Sequence, residues 1–151
     1  LDAVFDEFSK NLTAFLHQTE EAAMLNLWSG NTVTGKTLLA KRLSGFEGFK
    51  AFSSKGIKTF YFDAFQVKDN FDELKKDFLD KSKFPNSSIV FIDEVEKILD
   101  ISHKVVDEPF VKKFRKFIED LNSARKLFIV FIAQPKAQRS DVLKLFDIKL
   151  T

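Results

Sequence analysis

Cysteine is absent from this chain of 151 residues, which excludes disulfides, thiol nucleophiles and Cys-based metal sites. The two histidines, His17 and His103, are too few and too far apart for a His-rich metal centre. Neither charge sign dominates. The 24 basic and 22 acidic residues leave a net +2, which creates no strong field toward nucleic acid or an anionic membrane. No apolar run approaches the roughly 18 residues that a membrane span needs. Asp2, Asp6 and Glu7 interrupt any reading of the first residues as a leader, so the expected compartment is the cytoplasm. Internal repeats and low-complexity tracts are missing too. The first residue is Leu rather than Met, which fits a domain excised from a longer chain.

Phenylalanine is what the chain has in excess: 19 Phe against one Tyr and one Trp. Phe stands where other chains use Leu or Ile, on strands and helix faces alike. The expected role is core packing rather than a dedicated aromatic binding surface. With 44% hydrophobic residues, the chain suffices for a single domain over residues 1–151 with its own core.

Hydrophobic spacing predicts an alternation of elements. Phe5, Phe8, Leu12, Phe15 and Leu16 fall near helical spacing, with Ser9 or Asn11 as caps for a helix starting there. Residues 24–29 read as a short strand that enters a Gly-containing turn. Leu38, Leu39, Arg42 and Leu43 continue a helix that Gly45 and Gly48 stop. Residues 58–65 read as an aromatic strand, and Phe71, Leu74, Phe78 and Leu79 as a helical stripe. Ser88–Ile92 and Leu127–Ala133 are continuous apolar runs, as expected of strands buried on both faces. Between them, residues 100–108 read as a loop. A helix then carries Phe110, Phe114, Phe117, Ile118 and Leu121, with Pro109 as its expected first helical residue. A last helix is expected over residues 140–146. The whole predicts an α/β fold: a three-layer αβα sandwich around a parallel sheet, with the chemistry at the carboxyl ends of the strands.

Three features carry chemistry. Gly30-Asn31-Thr32-Val33-Thr34-Gly35-Lys36-Thr37 has the P-loop pattern, between a predicted strand and a predicted helix. Backbone N–H groups of such a loop cradle phosphates, and the helix start adds its positive dipole end. Residues Gly30 to Leu38 are the expected nucleotide-binding segment. Lys36 would reach the β- and γ-phosphates and the Thr37 hydroxyl a Mg²⁺ ion. Second, Asp93 and Glu94 follow the apolar run at 88–92, a strand expected to lie beside the P-loop strand. Asp93 would hold Mg²⁺, and Glu94 would polarise an attacking water. Third, Gln134 follows the next buried strand and can reach toward the γ-phosphate or that water. Other residues read more plainly. Lys112, Lys113, Arg115 and Lys116 are expected to form a solvated helix face. Trp28 is open between packing under the sheet and lying near a base. Asp63 is open between a structural role and a place near the substrate.

With these motifs in place, the chain resembles the AAA+ ATPases. Within them it resembles the group of the bacterial replication initiator DnaA, its shorter homologue Hda and the helicase loader DnaC. Phe5-Asp6-Glu7-Phe8 with Asn11 and Ala14 is similar to that group's entry segment beside the adenine. Gly30–Thr37 matches Walker A and Ile89–Glu94 matches Walker B. Phe114, Phe117, Leu121 and Asn122 resemble the helix before sensor 1, and Gln134 stands at sensor 1. The resemblance implies a P-loop NTPase core of the AAA+ type that takes ATP or ADP with Mg²⁺. It also implies weak ATPase activity, with Lys36, Glu94 and Gln134 as catalytic residues and Thr37 and Asp93 as metal ligands. The implied role is in DNA replication initiation or its regulation. The implied partners are replication proteins or another AAA+ subunit, with DNA contact only indirect and no membrane.

The match departs from the group's pattern at Asp141–Phe146, where Leu145 stands at the position of the arginine that reaches a neighbour's ATP. Lys144 and Arg139 are the nearby cations, and Lys lacks the planar fork of Arg. A self-assembled, mutually activating ring is therefore not expected. The group's lid would lie past Thr151, so the core is read without one. Two alternatives stay open at this point: a nucleotide-binding scaffold that does not hydrolyse, and a different P-loop enzyme such as a small-molecule kinase.

Overall fold

Five parallel strands, in the order β2-β3-β4-β1-β5, form one sheet with helices on both faces. The computed structural model describes residues 2–29, 35–45, 50–95, 108–133 and 148–150. In chain order the elements are α1 (Asp2–His17), β1 (Met24–Ser29), α2 (Lys36–Ser44), β2 (Thr59–Asp63), α3 (Ala64–Asp69), α4 (Phe71–Leu79), β3 (Ser88–Asp93), α5 (Glu108–Ala124), β4 (Leu127–Ala133) and β5 (Ile148–Leu150). The α/β sandwich expected from the alternation is the architecture observed.

The sheet's period of two sorts side chains into two apolar layers. Leu25 and Leu27 of β1, Val90 and Ile92 of β3, and Ile129 and Phe131 of β4 face α3, α4 and α5. Trp28, Ile89, Phe91, Phe128 and Val130 face α1 and α2, which contribute Phe8, Leu12, Phe15, Ala40 and Leu43. Every residue of β3 and β4 is buried, as continuous apolar runs require of central parallel strands. Phenylalanine fills both layers. Phe78 stacks on Phe117 at 5.5 Å between ring centroids, and Phe8 meets the edge of Trp28 at 5.8 Å. The open question on Trp28 resolves here: it is fully buried in the α1/α2 layer.

Several expectations need correction. Asp93 does not end a strand beside the P-loop strand. β3 pairs with β2 and β4, and β4 lies between it and β1. The physical reason is the run at 127–133, which is apolar on both faces and so takes the most enclosed place in the sheet. Ser9 and Asn11 are not caps but interior residues of α1, which already begins at Asp2. The Ser9 carbonyl instead accepts a hydrogen bond from the Thr13 hydroxyl at 2.8 Å. The aromatic strand is shorter than residues 58–65 because Asp63 ends it. Its carboxylate accepts the Gln66 N–H at 2.9 Å and the Gln66 side chain accepts the Asp63 N–H at 2.8 Å, a capping box that starts α3. Leu79 is 51% exposed and lies off the buried stripe of α4. β5 was not anticipated; it pairs with β1 through Asn26↔Ile148 and Trp28↔Leu150. The expected loop at 100–108 ends a residue early, because α5 already begins at Glu108 and Pro109 is its second residue; residues 100–107, the expected helix at 140–146 and Gly48 lie outside the described residues.

Candidate functional site

Because all five strands are parallel, their carboxyl ends lie along one edge of the sheet. Ser29, Asp63, Asp93 and Ala133 end β1 to β4 on that edge, with Ser29 opposite Ala133 and Asp63 opposite Asp93. Chain leaving β1 at this edge returns as α2.

The start of α2 is built for close approach. Gly35 precedes the helix at φ 77°, a left-handed conformation that suits glycine, and its carbonyl accepts the Leu39 N–H at 2.9 Å. Lys36 is the first helical residue and is buried, 7% exposed. Burial holds its ammonium below the usual lysine range. The first N–H groups of any α-helix have no acceptor four residues back, so this end carries positive potential. An anion here would meet the helix start and a desolvated cation, and it would restore Lys36's preference for the charged form. Thr37 and Leu38 are exposed on the same turn, Leu38 at 52%.

At the end of β3, Asp93 is 3% exposed and both of its carboxylate oxygens are engaged. Oδ1 accepts the Glu94 N–H at 2.8 Å. Oδ2 accepts the Tyr61 hydroxyl at 2.6 Å, a short bond of the kind a charged acceptor makes. Burial, and then this bond to Asp93, push the Tyr61 phenol well above its ordinary value, so the hydroxyl keeps its proton and remains a donor. Glu94 follows in the left-handed region, φ 59°. A non-glycine residue there costs about 1–2 kcal/mol, and the turn redirects the chain at the point where two carboxylates adjoin.

Among the described residues, no three His, Asp or Glu side chains gather into a group able to hold a metal unaided. The donor set fits Mg²⁺ that arrives with phosphates, since that ion is held by one or two carboxylates, substrate oxygens and retained waters. Asp93 and the Thr37 hydroxyl are the protein ligands such an ion would use.

The structure thus brings Lys36 and Asp93 to one edge of the sheet. Asp93 also shares the face of α2, because Tyr61, which it contacts, packs in the layer beneath that helix. Gly30, Asn31, Thr32, Val33, Thr34, Gln134, Arg139, Lys144 and Leu145 lie outside the described residues. Lys112, Lys113, Arg115 and Lys116 are exposed along α5, in keeping with a solvated face. Tyr61 is the residue that sequence reasoning missed. A signal was present: the one tyrosine in a chain of 19 phenylalanines marks a position where a hydroxyl has a use.

No helix among the described residues is long and apolar enough to cross a membrane. No curated protein matches the chain. The model of the ATPase family associated with various cellular activities (AAA) matches residues 26–151, from the middle of β1 onward. That match covers the P-loop pattern, the buried Lys36 and the Asp93–Glu94 strand end alike, and the chain belongs to the AAA ATPase family.

Proposed function

We propose that this domain binds ATP with Mg²⁺ at the carboxyl edge of its sheet and hydrolyses it slowly. The observation that carries the reading is the pair of buried charges there: Lys36 in the first turn of α2 after left-handed Gly35, and Asp93 ending β3. Lys36 binds the β- and γ-phosphates, with the loop N–H groups from Gly30 to Leu38 around them. When bound, Mg²⁺ would neutralise charge on the terminal phosphates. Thr37 and Asp93 hold it. Glu94 orients and polarises the attacking water, and Gln134 steadies the γ-phosphate or that water.

The biological setting we propose is bacterial DNA replication or its regulation, in the cytoplasm, with replication proteins or another AAA+ subunit as partners. Support comes from the resemblance of Phe5–Phe8, Gly30–Thr37, Ile89–Glu94 and Phe114–Asn122 to the group of initiators, regulators and helicase loaders. Leu145 at the arginine-finger position supports slow turnover by the chain alone, with any stimulation coming from a partner's arginine.

Two substitutions test the division of roles. Asp93→Ala is expected to weaken Mg²⁺-dependent ATP binding by at least about tenfold. Glu94→Gln is expected to bind ATP normally and to lose turnover by about a hundredfold or more. Calorimetric titration and a phosphate-release assay read the two effects, and equal effects of both substitutions on both readouts would reject the assignment.

A further inference from the structure

We infer that Tyr61 is a positioning residue for the Mg²⁺-binding carboxylate, its hydroxyl fixing Asp93 Oδ2 while the Glu94 N–H fixes Oδ1. The inference rests on the reading of Asp93 given above.

An aspartate at the end of a strand has two side-chain torsions to settle. One hydrogen bond restrains the carboxylate along a single direction and leaves it free to swing. Here a donor stands on each oxygen, 2.8 Å from Oδ1 and 2.6 Å from Oδ2, one from the residue that follows β3 and the other from β2. The carboxylate plane is therefore set before any ion arrives. Beyond the bond described here, a carboxylate oxygen has a further lone-pair direction. Mg²⁺ demands near-octahedral geometry and gives up water reluctantly, so a carboxylate already oriented lowers what must be reorganised on binding. Metal ligands held in this way by a neighbouring donor bind more tightly than free-swinging ones.

Tyr61 is itself well anchored. Its backbone sits in β2, with Tyr61 in register with Phe91 of β3, so the long phenol reaches two residues along the neighbouring strand to Asp93. Its half-buried ring packs in the layer under α2. The Lys41 ammonium of α2 lies over that ring, 5.7 Å from its centroid. The same helix starts with Lys36 and Thr37. One side chain thus connects the helix expected to bind phosphate with the strand expected to bind metal. The flanking residues Phe60 and Phe62 face the opposite layer and carry no hydroxyl. Packing alone would be met by phenylalanine here, as it is at so many other positions of this chain. Among the described residues, the hydroxyl's partner is Asp93.

The test is Tyr61→Phe, which keeps the ring and removes only the donor. ATP affinity is measured by calorimetry with Mg²⁺ and with EDTA, in wild type, Tyr61→Phe and Asp93→Ala, with a thermal melt of each. The expected result is that Tyr61→Phe melts near wild type and keeps its metal-free affinity. Its Mg²⁺-dependent gain should fall by about tenfold, at the low end of what loss of a ligand's supporting bond costs. A second readout needs no metal. Because Tyr61 is the only tyrosine, the Raman tyrosine doublet of the wild type reports this one hydroxyl. It should have the form of a strong donor and shift toward a weak donor in Asp93→Ala. A full Mg²⁺-dependent gain in Tyr61→Phe, alongside its loss in Asp93→Ala, would overturn the role of Tyr61 and leave that of Asp93 standing. An equal loss of metal-free and Mg²⁺-dependent affinity would mark Tyr61 as merely structural and also overturn it. A wild type with no Mg²⁺-dependent gain would reject the reading of Asp93, and this inference with it.

Discussion

The two edges of the sheet both bury charge, and they do so in opposite ways. At the amino edge, Arg125 sits between α5 and β4, 2% exposed. Its guanidinium donates to the carbonyls of Phe78 and Phe84, tying the end of α4 to the segment that enters β3. Around it, the Ser87 N–H donates to the Lys126 carbonyl at 2.6 Å, the Ser88 hydroxyl to the Pro85 carbonyl at 2.6 Å, and the Lys126 ammonium to the Gln18 carbonyl at 2.8 Å. The left-handed turn at Ser87, φ 70°, is held by these bonds. At the carboxyl edge, Lys36 is buried at a helix start and its ammonium is disfavoured by that burial. Asp93 is oriented by two donors yet keeps acceptor capacity. At the amino edge the buried charge is met by protein carbonyls, and at the carboxyl edge the buried charges stand at a helix start and at a strand end. The difference separates a charge that builds the fold from the charges that the proposed function assigns to the ligand.

Removing each charge should separate the two edges. The largest expected effect is on the scaffold side. Arg125→Ala strands two buried carbonyls that accept from a charged donor, and loss of about 3–5 kcal/mol of stability is expected from two such bonds. Urea denaturation checks it, and a loss under about 1 kcal/mol would break the contrast.

A smaller effect of opposite sign is expected on the other side. The folded-state pKa of Lys36 is lowered by burial, so between that value and the unfolded one the unfolded chain binds more protons. Stability should therefore rise with pH through that window. Below the window the penalty is fully present. Lys36→Met removes it, so the variant is expected to be at least as stable as wild type at neutral pH. Its advantage should shrink as pH rises toward 10.5, the ordinary lysine value. Denaturation midpoints of both proteins from neutral to alkaline pH read this directly. A variant clearly less stable than wild type at neutral pH would place Lys36 with Arg125 as a scaffold charge.

How much of this was legible in the sequence follows from how far apart the cooperating residues lie. The Gly30–Thr37 pattern is local, and so is the apolar run that ends in Asp93 and Glu94. Periodicity likewise marked the stripe of α5 and the two fully buried strands, because each element records its own exposure. Strand order is different. The run at 127–133 marks a central strand by being apolar on both faces, but it does not name β1 and β3 as its neighbours, because pairing joins segments far apart in the chain. The Tyr61–Asp93 bond joins residues 32 apart and needs that pairing first. The apolar residues after Asp63 carried the expected strand past it to residue 65, whereas the strand ends at Asp63. Its capping box with Gln66 becomes evident only once α3 is seen to follow without a loop. Trp28 was ambiguous because an aromatic beside a phosphate loop suits a base or a core equally. The apolar shell of Phe8 and Phe91 decides for the core.

The central claim is that the carboxyl edge, with Lys36 at the start of α2, receives the phosphates of ATP. The most direct measurement is calorimetric titration of ATP into wild type and Lys36→Met in the presence of Mg²⁺, with matched melting curves. The account predicts at least about a tenfold loss of affinity in a variant that remains folded, since a charge-assisted bond to phosphate contributes about 1.5–3 kcal/mol. Unchanged affinity in a folded Lys36→Met protein would contradict it.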